Sequence, residues 1–151
     1  MKLAVNKNYK KARRFCIPGS EDIWFEIEPI LKREQMVGAS DASKFVKKGK
    51  KTEQEFNSKV FFDFQYDQLS KKIKNFGGIT DKESGIKLEY SKANLEMLLD
   101  SSWRTEICKK KDRKGKIVID EDTGEPEMVE LGTWLYQCAT ETEQIEGELE
   151  N

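Results

Sequence analysis

Asp81-Lys82-Glu83-Ser84-Gly85 and Asp120-Glu121-Asp122-Thr123-Gly124 gather side-chain oxygens at short spacing in this 151-residue chain. Carboxylates beside a glycine invite comparison with a calcium loop. Such a loop needs oxygens at its first, third and fifth positions, glycine at the sixth and a bidentate glutamate at the twelfth. Counted from Asp81, the fifth position is Gly85 and the twelfth Lys92; counted from Asp120, they are Gly124 and Leu131. Each stretch misses the pattern twice. Both are read as turns, and no metal ligand is assigned.

Other site chemistries find less support. The chain has no histidine, so a Ser-His or Cys-His pair is impossible and general-base duty would fall to Asp, Glu or Lys. It holds no GxGxxG and no GxxxxGK[ST] phosphate cradle. Cys16, Cys108 and Cys138 are scattered, with no CxxC spacing. They read as reduced thiols, not as zinc ligands or a disulfide framework. No catalytic or cofactor-binding residue is assigned, no cofactor is expected, and the sequence reads as a non-enzyme.

Charge leaves a binding role open. Residues 117–151 carry 11 acidic side chains and no Lys or Arg, which leaves 27 basic and 17 acidic groups, a net of +10, in residues 1–116. Such a division can mark a partner surface or support self-association of basic body against acidic tail. Basic clusters at 44–51 and 109–116, with Phe45 and Trp103 near them in sequence, make a small nucleic-acid-binding protein the rival reading. Runs of charge are more often solvated faces, and no nucleic-acid module motif accompanies these.

The elements that would position such groups come next. The length suits one domain able to bury a core without disulfide or metal, here residues 1–146 with a frayed acidic end at 147–151. No apolar run approaches the roughly 20 residues of a membrane span, so no membrane partner is expected. Alternation of Phe15 and Ile17, then of Ile23, Phe25 and Ile27, predicts an N-terminal β-hairpin over 13–28. Trp24 alternates outward from that set and is a candidate partner contact. Residues 38–51 mix Gly, Ser and Lys and read as a mobile connection, with Phe45 and Val46 as further contact candidates.

Thr52 and Glu55 have capping-box spacing, and Phe62, Tyr66, Leu69, Ile73 and Phe76 draw one helical stripe that Gly77 would end. A turn at Asp81–Gly85 leads to alternating Ile86, Leu88 and Tyr90 and to a helix capped by Ser91. In that helix Leu95, Leu98, Leu99, Trp103 and Ile107 face inward, and Asn94 stands where a glutamate would complete the box. A second short hairpin is expected near 113–129, with Ile117 and Ile119 on one arm and Met128 on the other. A final helix follows from Leu131, its first turn weakened by Gly132. The fold class is α+β, a mainly helical domain with two hairpins.

Residues 75–99 carry a family resemblance. Phe76, Gly78-Ile79-Thr80-Asp81, Gly85, Tyr90-Ser91, Asn94 and Leu98-Leu99 resemble the pattern G-I-x-D-x-x-G, short strand, y-S-x-x-N-x-x-x-L-L, with one extra residue between Asp81 and Gly85. This resembles the tail assembly chaperones and similar small tail proteins of long-tailed bacteriophages, whose N-terminal hairpin has a counterpart at 13–28. The resemblance implies a short-stranded, mainly helical body in which Gly77, Gly78, Asp81, Gly85, Ser91 and Asn94 are structural. It also implies a non-enzymatic role in the cytoplasm of a bacterial host, with the tape-measure protein and tail-tube subunits as partners.

Overall fold

A computed structural model describes residues 2–149, with side chains described for 2–141. The order is β1 (Arg13–Ile17), β2 (Ser20–Ile27), α1 (Lys32–Ala42), β3 (Ser43–Lys48), β4 (Lys51–Phe56), α2 (Ser58–Lys72), β5 (Ile73–Gly77), α3 (Lys92–Ser102), β6 (Glu106–Lys109), β7 (Met128–Glu130) and α4 (Leu131–Leu149). The class is α+β, 34% helix and 31% strand. The expected end at 147–151 falls partly outside the described residues, at Glu150 and Asn151.

The N-terminal hairpin is present. Pro18 fixes the first turn position and Gly19, at φ 91, supplies the positive φ of the second. Phe15 pairs with Phe25 and Arg14 with Glu26, so Phe15, Phe25 and Ile27 share the core face while Arg14, Trp24 and Glu26 share the outer one.

The helix expected to run through Phe76 stops at Lys72, and Ile73–Gly77 becomes β5, antiparallel to β2 in the sheet β1-β2-β5. The cause is a bulge. Glu26 pairs with Asn75 but Ile27 with Ile73, leaving Lys74 as the extra residue. Ile73 and Phe76, three apart, therefore face the same side, and a strand with one bulge imitates a helical spacing. Gly77 sits in extended pairing with Trp24 and does not cap a helix.

The same helix also begins later than its capping-box signature. Thr52 and Glu55 lie in β4, and the cap is Asn57, whose side chain accepts from the Val60 N–H at 3.1 Å. Asn57→Ala is expected to cost about 1 kcal/mol in denaturant unfolding, whereas Thr52→Ala should stay within about 0.5. Equal costs would return the helix start to Thr52.

Residues 38–51, expected as a mobile connection, form the end of α1, all of β3 and the turn into β4. Gly49, at φ 64, and Lys50 make the two-residue turn between paired Lys48 and Lys51. No non-glycine residue among those described has positive φ, so glycine at the first turn position gives the II′ geometry suited to hairpin twist. Lysine-rich composition hid a strand pair.

α3 starts as expected: Ser91 Oγ accepts from the Asn94 N–H at 3.0 Å, and the Asn94 amide donates to the Glu89 carbonyl at 2.8 Å. It ends at Ser102, with Trp103 at the cap and Ile107 in β6, so neither belongs to its face. The Tyr66 hydroxyl ties α2 to α3 by donating to Asp100 at 2.6 Å. One core joins Ile17, Phe25, Ile27, Leu69, Ile73, Phe76, Leu95, Leu99, Leu131 and Leu135.

Between α3 and α4 the chain makes three short arms rather than one hairpin. Lys110 N donates to Glu127 O, Glu127 N to Val118 O and Val118 N to Lys110 O, closing a ring of backbone bonds at 2.8–2.9 Å. The arms bearing Ile119 and Pro126 pair across the Asp120–Gly124 turn, as expected, but Met128 pairs with Lys109.

Three glycines serve as seats for aromatic rings. A Cβ at Gly77 would collide with the Trp24 indole, one at Gly38 with the Phe64 ring and one at Gly132 with the Trp103 indole. Each ring lies on backbone that any other residue would hold away.

Candidate functional site

Among the described residues the hairpin β3–β4 pairs with no other strand, and every residue of β4 is exposed. Its register sets Lys44, Val46 and Lys48 against Glu55, Glu53 and Lys51 on one face. There Lys48 bridges Glu53 at 3.3 Å and Glu55 at 3.5 Å. The opposite face carries Ser43, Phe45 and Lys47 against Phe56, Gln54 and Thr52. Phe45 is 75% exposed and Phe56 57% exposed. This second face has two phenyl rings, one lysine and no carboxylate. Phe45 and Val46 thus point to opposite sides, and the companion of Phe45 is Phe56. The signal for it was available: a Gly-Lys turn between lysine pairs fixes a register that places both phenylalanines on one face.

The hairpin is tethered to the body through rings. Phe56 lies 5.4 Å from Phe61, which lies 6.2 Å from Phe64 and 6.1 Å from Tyr136 of α4. At the base, Lys44, Glu55, Phe56, Asn57, Ser58 and Lys59 line an open hollow of about 480 Å³. Its charged lining is one carboxylate, Glu55, and two lysines, Lys44 and Lys59.

Trp24 lies elsewhere, on the outer face of the three-stranded sheet. Gly77 underlies its ring, and the Arg14 guanidinium sits over it at 3.7 Å from a ring centroid while bonding Glu26 at 2.8 Å. The outward alternation is as expected, but the ring is half-buried and links all three strands.

The other residues singled out from sequence hold the turn and cap. Gly78, at φ 78, passes directly over the Asp22 carbonyl. The Asp81 carbonyl accepts from Gly85 N at 2.8 Å, its carboxylate accepts from Glu83 N at 3.0 Å, and Ser84 Oγ accepts from Ile86 N at 3.2 Å. Asp120, Gly124, Asp122, Thr123 and Glu125 repeat every one of these bonds. Both carboxylates are engaged by backbone donors in the same D-x-x-[S/T]-G loop. Among the described residues, no three His, Cys, Asp or Glu side chains are grouped to hold a metal ion, and no helix is long and apolar enough to cross a membrane.

Burial pushes the Cys108 thiol up to about 12, and burial, then the charge of Glu141, pushes Cys138 higher still. Neither offers a thiolate near neutral pH; Cys16 is exposed, and none of the three cysteines is in a disulfide. Burial, then the hydrogen bond to Asp100, raises Tyr66 to about 12.

A second apolar face lies on the three-armed segment. Ile117 is 40% exposed, Ile119 50% and Met128 40%. Ile117 and Ile119 alternate on one arm, and Met128 stands two residues beyond Pro126, the bridge partner of Ile119. The three therefore share a side, while Val129 packs toward the core. The chain matches no protein-family model, no curated protein and no solved structure.

Proposed function

We propose that this chain is a non-enzymatic assembly protein that holds an apolar segment of another protein on the Phe45–Phe56 face of the β3–β4 hairpin. The observation that carries the reading is the pair of exposed rings on one face of a hairpin that joins no other sheet. Covering a phenylalanine side chain fully is worth roughly 1.5–3 kcal/mol, and a chain that seats other rings on glycine leaves Phe45 75% exposed and Phe56, beside Phe61, 57% exposed. A protein-binding patch accounts for that arrangement.

The resemblance over residues 75–99 supplies the class of partner: a phage tail assembly chaperone acting in the cytoplasm of its bacterial host, with the tape-measure protein or tail-tube subunits held before polymerisation. Many weak apolar contacts along one extended partner would add by avidity. The test is co-expression with a tape-measure protein and co-purification. Phe45→Ser with Phe56→Ser is expected to keep the circular dichroism of the parent and to weaken capture about 30-fold, or about 2 kcal/mol. Undiminished capture would remove the hairpin from the site. Retention on single-stranded DNA or RNA with a steep salt slope would instead favour the nucleic-acid reading of the clusters at 44–51 and 109–116.

A further inference from the structure

We infer that the partner segment is held as an added β-strand, hydrogen-bonded along the free edge of β4, with alternate side chains on the face of Phe45 and Phe56. This rests on the proposed function and gives the conformation in which that segment binds. One hydrogen bond fixes which way the backbone groups point. Asn57 N donates to the Ala42 carbonyl at 2.7 Å, just beyond the pair Ser43–Phe56. In an antiparallel ladder a pair flanked in this way exchanges no hydrogen bonds of its own, and bonded and non-bonded pairs alternate. Ser43–Phe56, Phe45–Gln54 and Lys47–Thr52 are therefore the non-bonded pairs. The N–H and C=O groups of Thr52, Gln54 and Phe56 point away from β3, and none has a hydrogen-bond partner among the described residues. These are the same three residues that β4 contributes to the ring-bearing face.

An edge of this kind selects an extended occupant, because only another extended backbone can satisfy a row of outward donors and acceptors. Alternate residues of the added strand fall beside Thr52, Gln54 and Phe56 and are apolar, covering the exposed rings. The residues between them fall beside Glu53 and Glu55 on the other face, where a carboxylate would meet like charge. The segment therefore alternates apolar residues with uncharged or basic polar ones. A second copy offering its own β4 fits poorly. Pairing Thr52 with Phe56 of the second copy, and Gln54 with Gln54, sets Glu53 opposite Glu55 at two places. The edge of β3 is the poorer site, since Ser43 N already donates to the Ser40 carbonyl and α1 packs on that strand.

Amide hydrogen exchange of the full chain tests it, alone and with a short synthetic peptide alternating valine with lysine or threonine. Binding should slow exchange at Thr52 and Gln54 by about tenfold or more. Methylating alternate backbone amides of the peptide should weaken binding at least about tenfold in one set and spare it in the other, since only one side of a strand faces β4. Gln54→Pro removes an outward N–H without touching the ladder to β3, and should weaken binding about tenfold while the circular dichroism stays that of the parent. No binding of the alternating peptide, amides at Thr52 and Gln54 left unprotected in the complex, or equal binding of the two methylated sets would each overturn the inference, whether or not Gln54→Pro folds. A parent that dimerises in a form lost with Gln54→Pro would put a second copy on the edge and overturn it too. Capture of a tape-measure protein that survives Gln54→Pro, but not Phe45→Ser with Phe56→Ser, would remove the added strand and keep the proposed function. Peptide bound along the edge, with no capture of the tape-measure protein, would support the strand site and count against the proposed tail partner alone.

Discussion

Gly78→Ala is expected to lower stability by more than about 3 kcal/mol, the largest effect of a methyl group added at any of the described glycines. Two costs combine. A side chain at φ 78 leaves the conformation that L-residues prefer, worth about 1–2 kcal/mol. The added Cβ would also strike the carbonyl of Asp22, which is backbone in β2 and cannot turn aside as a flexible side chain can. Moving Asp22 would disturb the neighbouring pairing of Trp24 with Gly77 and Phe25 with Phe76. Gly85→Ala is the control, since Gly85 has φ 69 but nothing within 4 Å of its added Cβ. It should show the conformational cost alone, and the difference in denaturation midpoints isolates the collision. In thermal unfolding, Gly78→Ala should lose about 10 °C and Gly85→Ala only a few. Equal losses would mean that β2 yields to the methyl group.

Gly132→Ala carries the second large effect, and its sign runs against helix propensity. Alanine for glycine inside a helix ordinarily gains about 1 kcal/mol, and Gly132 is the second residue of α4. Here the Trp103 indole lies on that glycine and is held by Phe62 at 4.9 Å and Tyr66 at 6.2 Å. It cannot retreat without disturbing them, so the substitution is expected to cost about 2–3 kcal/mol. In a Trp103→Leu background the collision is gone and the same change should become neutral or stabilising. A double-mutant cycle should give a coupling near the upper end of the usual range of about 0.5–3 kcal/mol. Additive effects would show that the ring does not depend on the seat.

Gly77 and Gly132 mark where the sequence stops being legible. The N-terminal hairpin could be read because Phe15, Ile17, Ile23, Phe25 and Ile27 alternate around Pro18-Gly19, all within a few residues. The Ser91 cap and the Asp81 and Asp120 turns were equally local, since their side chains bond backbone two or three residues away. Gly77 and Gly132 were misread because their reasons lie far along the chain, in Trp24 and Trp103. The bulge in β5 defeated periodicity outright: it reproduced a helical interval in a strand. The Thr52–Glu55 pair satisfied a capping rule whose residues β3 had already drawn into a hairpin. Of the contact candidates, Phe45 emerged exposed, Val46 faced the other way and Trp24 was half covered. Phe56 was missed because its register depends on treating a lysine-rich turn as structure.

The ring-and-glycine seats carry a consequence for how this chain can vary. Positions 24 and 77, 38 and 64, and 103 and 132 are tied in such a way that neither member drifts alone. In a randomised library selected for foldedness, survivors should gain bulk at the glycine only where the aromatic partner has shrunk. Each pair would then be inherited as a single character.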